Sequence, residues 1–196
     1  AHGEISDRIA SSIYKQGEQA RDSGDLEMAV THFTRLGQAV PDSSIRATAE
    51  YDAAAALINL AAWDRASTVL EKFRRDYPDS EFADDINQKL AVTYLQSGRG
   101  AEAAKEFERI AAAESSAPEV RREALWKASE LYKESDLGGD EQRVLKTIIA
   151  RYPDPLAESM EARVRLLEIA EARGDNRERM ALLEDIVGPV PGYFLE

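Results

Sequence analysis

The chain has 196 residues, 43% of them apolar, and carries 37 acidic against 25 basic side chains for a net charge of −12. Such acidity repels phosphate backbones and anionic headgroups, which counts against binding to nucleic acid or a membrane surface. The absence of cysteine removes disulfides, thiol catalysis and thiolate metal sites, and no apolar run approaches the ~18–20 residues of a membrane span.

Apolar residues recur with the 3.6-residue period of helices, and glycine and proline interrupt them at regular intervals. The first helix runs from about Ile5 to Asp22, turns at Gly24-Asp25 and returns through Met28, Phe33 and Leu36 to Pro41. The second hairpin leads from Ile45 to Leu60, turns between Ala61 and Asp64, and returns through Ala66, Leu70 and Phe73. Its leading helix is rich in alanine, a strong helix former that leaves room for close neighbours. The return stops near Arg75, because Pro78 lacks an N–H and disfavours helical dihedrals at Tyr77. Ser80 then offers an acceptor to a backbone N–H at the start of the next helix.

The third hairpin presents Ile86, Leu90, Tyr94 and Leu95 on one face, breaks at Gly98 and Gly100, and returns through Ala103, Phe107 and Ile110. The fourth leads from Pro118 to about Ser135, turns at Leu137-Gly138-Gly139, and returns through Val144, Leu145 and Ile148 to Tyr152-Pro153. The fifth opens with Asp154 as a cap and Pro155 at the first helical position. It leads to Arg173, turns at Gly174-Asp175-Asn176, and returns through Leu182, Leu183 and Ile186 to Gly188-Pro189. Val190 to Glu196 has no helical pattern.

These hairpins repeat. Ala29, Ala66 and Ala103 fall 37 apart, followed four residues on by Phe33, Leu70 and Phe107, and Pro41 and Pro78 share the interval. The expected fold is therefore all-α, a right-handed α-solenoid of about five antiparallel helix hairpins, ten helices sharing one continuous core. The repeats are placed at 9–43, 44–80, 81–117, 118–153 and 154–191, in a single domain over 1–196 with a tail at 192–196.

The residues resemble the tetratricopeptide repeat, a pair of antiparallel helices with a signature of small and aromatic positions. Gly17, Ala29, Phe33 and Pro41 match in the first unit, Leu90, Ala91, Tyr94, Ala103 and Phe107 in the third, and Tyr132 and Pro153 in the fourth. Trp63 takes an aromatic position in an inter-helix turn. The resemblance covers residues 9 to 191, with departures. The period is three or four residues longer, the first signature Trp is absent, and the fifth unit keeps only its leucines and Pro191. The stretch from Phe73 to Ala83, echoed at 150–154, is similar to a subset of these repeats in the Tol–Pal-associated periplasmic protein and in the lipoprotein of outer-membrane assembly. This implies a bacterial adaptor of the periplasm or cell envelope.

The same resemblance implies that leading helices line a concave face and that partners bind there. Carried over unit by unit, it yields a row of Tyr14, Tyr51, Gln88, Trp126 and Val164, and a deeper row of Glu18, Ala55, Val92, Glu130 and Glu168. Near the helix ends come Arg21, Ile58, Asn59, Leu95, Gln96, Lys133 and Glu134. The partner-binding set is Tyr14, Glu18, Tyr51, Ile58, Asn59, Gln88, Val92, Leu95, Gln96, Trp126 and Glu130. Tyr and Trp supply large contact area at low entropy cost, which suits a peptide groove, although inter-repeat core is an alternative use for them. Tyr14, Glu18, Tyr51 and Ala55 stand where repeats that clamp a terminal carboxylate hold Lys and Asn, so that ligand class is disfavoured.

Chemistry finds little footing. His2 lies at the very start, and His32 beside Phe33 is expected on a solvated face. No histidine–carboxylate spacing suits a metal, no glycine loop suits a phosphate, and Glu161, Glu168 and Glu171 read as surface. No cofactor or metal is expected. Arg74-Arg75 fits a helix C-terminus, whereas Arg121-Arg122 falls early in its helix without an evident role.

The expected function is thus non-catalytic. A protein or peptide partner is received on the concave face, without nucleic acid or membrane insertion. The alternative is a structural segment of a longer solenoid or a self-associating subunit. Ala1-His2-Gly3 and Leu195-Glu196 read as the ends of an excised fragment or a processed chain. Tyr193 and Phe194 are expected to fold back over Leu182, Leu183 and Ile186 as a cap.

Overall fold

A computed structural model describes residues 2–187. Among them lie ten α-helices and no strand, as the all-α reading requires: α1 (His2–Asp22), α2 (Leu26–Ala39), α3 (Arg46–Asn59), α4 (Trp63–Asp76), α5 (Ala83–Gln96), α6 (Gly100–Ala112), α7 (Pro118–Glu134), α8 (Gly138–Arg151), α9 (Leu156–Arg173) and α10 (Asn176–Val187). They fall into two compact units, Ala1–Arg99 with α1–α5 and Gly100–Glu196 with α6–α10. Within each unit every helix packs on the next in sequence. The expected cap of Tyr193 and Phe194 lies outside the described residues, as do Pro189 and Pro191.

Every leading helix ends in the same way. The residue in the left-handed region is Gly24, Ala61, Gly98, Asp136 and Gly174 in turn, with φ between 53° and 84°. The residue after each donates its N–H back to the carbonyl of Ala20, Leu57, Tyr94, Tyr132 and Ala170 respectively, at 2.8–2.9 Å, the closing bond of a Schellman turn. The repeat is thus written in backbone geometry even where glycine is missing. This geometry also corrects the assigned turns. The fourth turn centres on Asp136, while Gly138 and Gly139 belong to α8, and Gly100 opens α6 and does not break a helix. Trp63 likewise opens α4 and does not stand in the turn before it.

Three return helices, α2, α4 and α8, share a different ending. Val40, Tyr77 and Tyr152 precede prolines and adopt φ of −136°, −133° and −133°, each donating its N–H to Leu36, Phe73 or Ile148. Proline forces the preceding residue out of the helical region, which stops the helix there. Ser43 and Ser80 then accept the N–H groups of Ile45 and Phe82 at 3.4 and 3.2 Å. The start of α9 departs from expectation. Pro155 is extended, with φ −69° and ψ 146°, and the helix opens at Leu156, so Asp154 does not cap it. Asp25 and Asp175 do cap, accepting the N–H groups of Met28 and Glu178 at 3.0 Å.

The first unit is centred on Phe33, Leu36, Ala29, Ala49 and Ala53, all at most 1% exposed, with Tyr14 and Ile45 packed at the margin. Gly17 makes this possible, because a Cβ there would stand 2.5 Å from the Phe33 ring. In the second unit Tyr132, Val144, Leu145, Ile148 and Leu166 are buried.

Candidate functional site

The leading helices of the first unit are joined sideways by tyrosines. Tyr14 on α1 donates its hydroxyl to Asp52 on α3 at 2.5 Å, and Tyr51 on α3 donates to Asp85 on α5 at 2.7 Å. The Tyr51 ring stacks on Phe82 at 4.4 Å, with the Lys89 ammonium 5.4 Å from its centre. In the second unit Trp126 on α7 donates its indole N–H to Glu158 on α9 at 3.2 Å, and Arg122 pairs with the same carboxylate at 3.0 Å. The Arg165 guanidinium covers the Trp126 ring at 5.6 Å. The three aromatics of the expected row are therefore half-buried, with their polar ends engaged by a neighbouring repeat.

A second set of tyrosines joins leading to returning helices. Tyr94 on α5 donates to Glu71 on α4, and Tyr132 on α7 donates to Glu108 on α6, both at 2.6 Å. Arg143 grips Glu108 with two N–H groups at 2.5 and 2.8 Å. Burial works to raise the Glu108 carboxyl, but the bonds from Arg143 and Tyr132 outweigh it and hold it below its ordinary value.

Burial first, and then the hydrogen bond to a carboxylate, push the Tyr14, Tyr51 and Tyr132 hydroxyls above the ordinary phenol range. Burial and the Glu50 charge do the same for Tyr77. A group whose pKa is raised on folding stabilises the fold fully below its unfolded value, about 10, and loses that contribution as pH climbs through the raised value. Of the seven tyrosines, these four are expected to resist ionisation as pH passes 10, so that absorbance lags a free-phenol titration while the helices hold. Parallel absorbance and circular-dichroism titrations check this. Ionisation of all seven near pH 10 with the helices intact would contradict it.

The remaining expected site residues divide by helix. On α5 Val92 is 46% exposed, Gln88 and Gln96 are exposed, and Leu95 is half-buried. On α3 Asn59 is exposed, while Ile58 packs against Val30, Leu57 and Ala66. Glu18 lies half-buried with Arg21 at 3.9 Å. On α7 Glu130 is exposed and pairs with Lys127 at 3.2 Å.

Sequence reading missed the carboxylates that receive the aromatic row, and the pair of Arg165 with Glu141 at 2.6 Å. It also left Arg121-Arg122 without a role. Arg121 donates to the carbonyl of Ala111 at the end of α6 at 2.9 Å, where a cation suits the helix C-terminus, and Arg122 serves Glu158. His32 is half-buried with Nδ1 shielded and unbonded, and is not on a fully solvated face. Among the described residues no group of three or more His, Asp or Glu could hold a metal ion, and no helix is long and apolar enough to cross a membrane.

Repeated antiparallel helix pairs, and solved structures of the same fold, make this a protein of tetratricopeptide type. The chain matches the YfiO family, described as outer membrane lipoprotein, over residues 6–173 and belongs to that family. Solved structures agree on the fold. A tetratricopeptide repeat protein from Parabacteroides merdae is 14% identical with a TM-score of 0.55, over 92% of this chain and 66% of that one. MamA 41-end from Desulfovibrio magneticus RS-1 is 15% identical with a TM-score of 0.52, over 91% and 93%. No curated protein matches the sequence.

Proposed function

We propose that the chain is a non-catalytic protein-interaction scaffold of the bacterial cell envelope. On this reading the leading-helix faces, the expected concave side, receive a peptide or helix from a protein partner. The YfiO family supports the envelope placement. The observation that carries the binding reading is on α5. There Val92 stays 46% exposed and Leu95 half-buried between the exposed amides of Gln88 and Gln96. An apolar centre with amide donors and acceptors at its rim suits a peptide, whose backbone needs hydrogen bonds and whose side chains need an apolar seat. Tyr14, Tyr51 and Trp126 act chiefly by fixing the spacing of that face, and offer a partner only the uncovered edges of their rings. In the second unit Glu130 and Val164 occupy the matching face.

Peptides selected from a display library on the intact chain test the reading. They are expected to lose at least about tenfold in affinity against Val92→Asp, because a buried unpaired carboxylate opposes binding. Melting should be unchanged, since Val92 is exposed. Selected peptides indifferent to this change, or none selected, would argue against the face.

A further inference from the structure

A groove runs between the return helices α2 and α4, with α3 as its floor. It consists of two adjoining cavities of about 460 and 190 Å³ that share Thr34 and Val69. Leu57 lies under the first, and Ala53 and Glu50 under the second. The matching place in the second unit is full. Two repeats on from Thr34, Leu57 and Thr68 stand Glu108, Tyr132 and Arg143, with Tyr132 and Arg143 donating to the Glu108 carboxylate at 2.6 and 2.8 Å. The position of Thr34 holds Glu71 on α4 and Lys146 on α8, and these too are engaged, by Tyr94 at 2.6 Å and by Glu178 at 2.7 Å. Of these four return helices only α2 carries a short residue there, and the side chains that fill the joint elsewhere are missing. We infer that this groove binds a small free phenol, its ring seated on Leu57 and Val69 and its hydroxyl donated to the Glu50 carboxylate.

A phenol is the chemistry this molecule already places between its helices. Tyr14, Tyr51, Tyr94 and Tyr132 all donate their hydroxyls to a carboxylate on another helix. The Glu50 side chain is 14% exposed and accepts from Arg46 at 2.9 Å, with Lys72 at 3.7 Å. A carboxylate offers about four acceptor positions, so one more donor can be received. The ends of the groove select a small molecule over a chain. Arg65 holds Glu27 across one end at 2.8 and 3.0 Å, and Lys72 reaches Glu50 at the other. A polypeptide lying along the groove would have to break both pairs, whereas a single ring fits between them. Nor would a longer chain fill it. The helices α2, α3 and α4 already pack on their neighbours in sequence, and a repeat contacts only the repeats beside it, so repeats added at either end would leave this place unchanged.

Phenol itself is the probe, with benzene as the ring that cannot donate, each titrated into the intact isotope-labelled chain and followed by amide chemical shifts. Phenol is expected to shift amides of α2, α3 and α4 saturably in the millimolar range, the affinity a molecule of this size reaches. Benzene should bind about tenfold more weakly, because it lacks the bond to a charged acceptor. Glu50→Gln should weaken phenol and leave benzene as it was. Thr34→Trp, a change at an exposed position, should fill the groove and abolish the saturable shifts with melting unchanged. No localised shifts, equal binding of phenol and benzene, or binding that survives Thr34→Trp overturns the inference. So does competition between phenol and peptides selected on the intact chain, which would give the groove to a protein partner.

Discussion

Replacing Arg165 by methionine is expected to destabilise the second unit by about 3–5 kcal/mol, the usual cost of breaking a buried ion pair from one side. Arg165 and Glu141 are 12% and 6% exposed, 2.6 Å apart, and link α9 to α8. The guanidinium also reaches Ser129 on α7 at 3.3 Å and lies over Trp126. One side chain therefore holds three helices, and its loss strands the Glu141 carboxylate in a dry site. The double change Arg165→Met with Glu141→Leu should recover most of the loss, since apolar replacement of a buried pair is often neutral or better. The two tryptophans make the measurement local. Trp126 reports the second unit and Trp63 the first, so urea unfolding followed at Trp126 should shift to lower denaturant for the single variant. An unshifted midpoint would show that water already satisfies the pair.

Gly17→Ala is expected to cost the first unit about 1–3 kcal/mol by overpacking. The added Cβ would stand 2.5 and 2.6 Å from two carbons of the Phe33 ring, which is 0% exposed and cannot swing aside. Phe33→Ala should cost more, about 3–5 kcal/mol, by leaving a cavity between α1 and α2. The informative result is the combination. Gly17→Ala with Phe33→Leu should be less damaging than the sum of its parts, because the smaller side chain vacates the space the methyl needs. Additive losses would mean that the glycine serves some need other than this close approach.

Much of this was legible from the 37–38 residue interval. Apolar spacing located all ten helices, and proline located the ends of α2, α4 and α8, because both act through strictly local geometry. The left-handed turns were legible at Gly24, Gly98 and Gly174. The turn at Ala61 was placed without its left-handed residue being marked, and the one at Asp136 was misplaced, because there the backbone bond to the preceding turn imposes the conformation without a glycine. Gly138-Gly139 misled for the same reason, being a glycine signal two residues beyond the actual turn. The aromatic row was placed on the right helices, yet what its hydroxyls and indole do was hidden. Asp52, Asp85 and Glu158 are 38, 34 and 32 residues from their donors, so no single offset reveals them. Arg121 was unreadable because its acceptor is a main-chain carbonyl, which has no letter in a sequence.

The central claim is that partners are received on the leading-helix face. A photo-crosslinking amino acid placed in the first unit, in the organism that carries the gene, tests it most directly. Positions 88 and 92 on α5 should give a discrete adduct with one identifiable protein, and exposed Thr68 on the return helix α4 should not. The adduct at 88 should also fade when Val92 is changed to Asp. Adducts formed equally at 68, or at 68 alone, would contradict the account and move the partner to the other side of the hairpins.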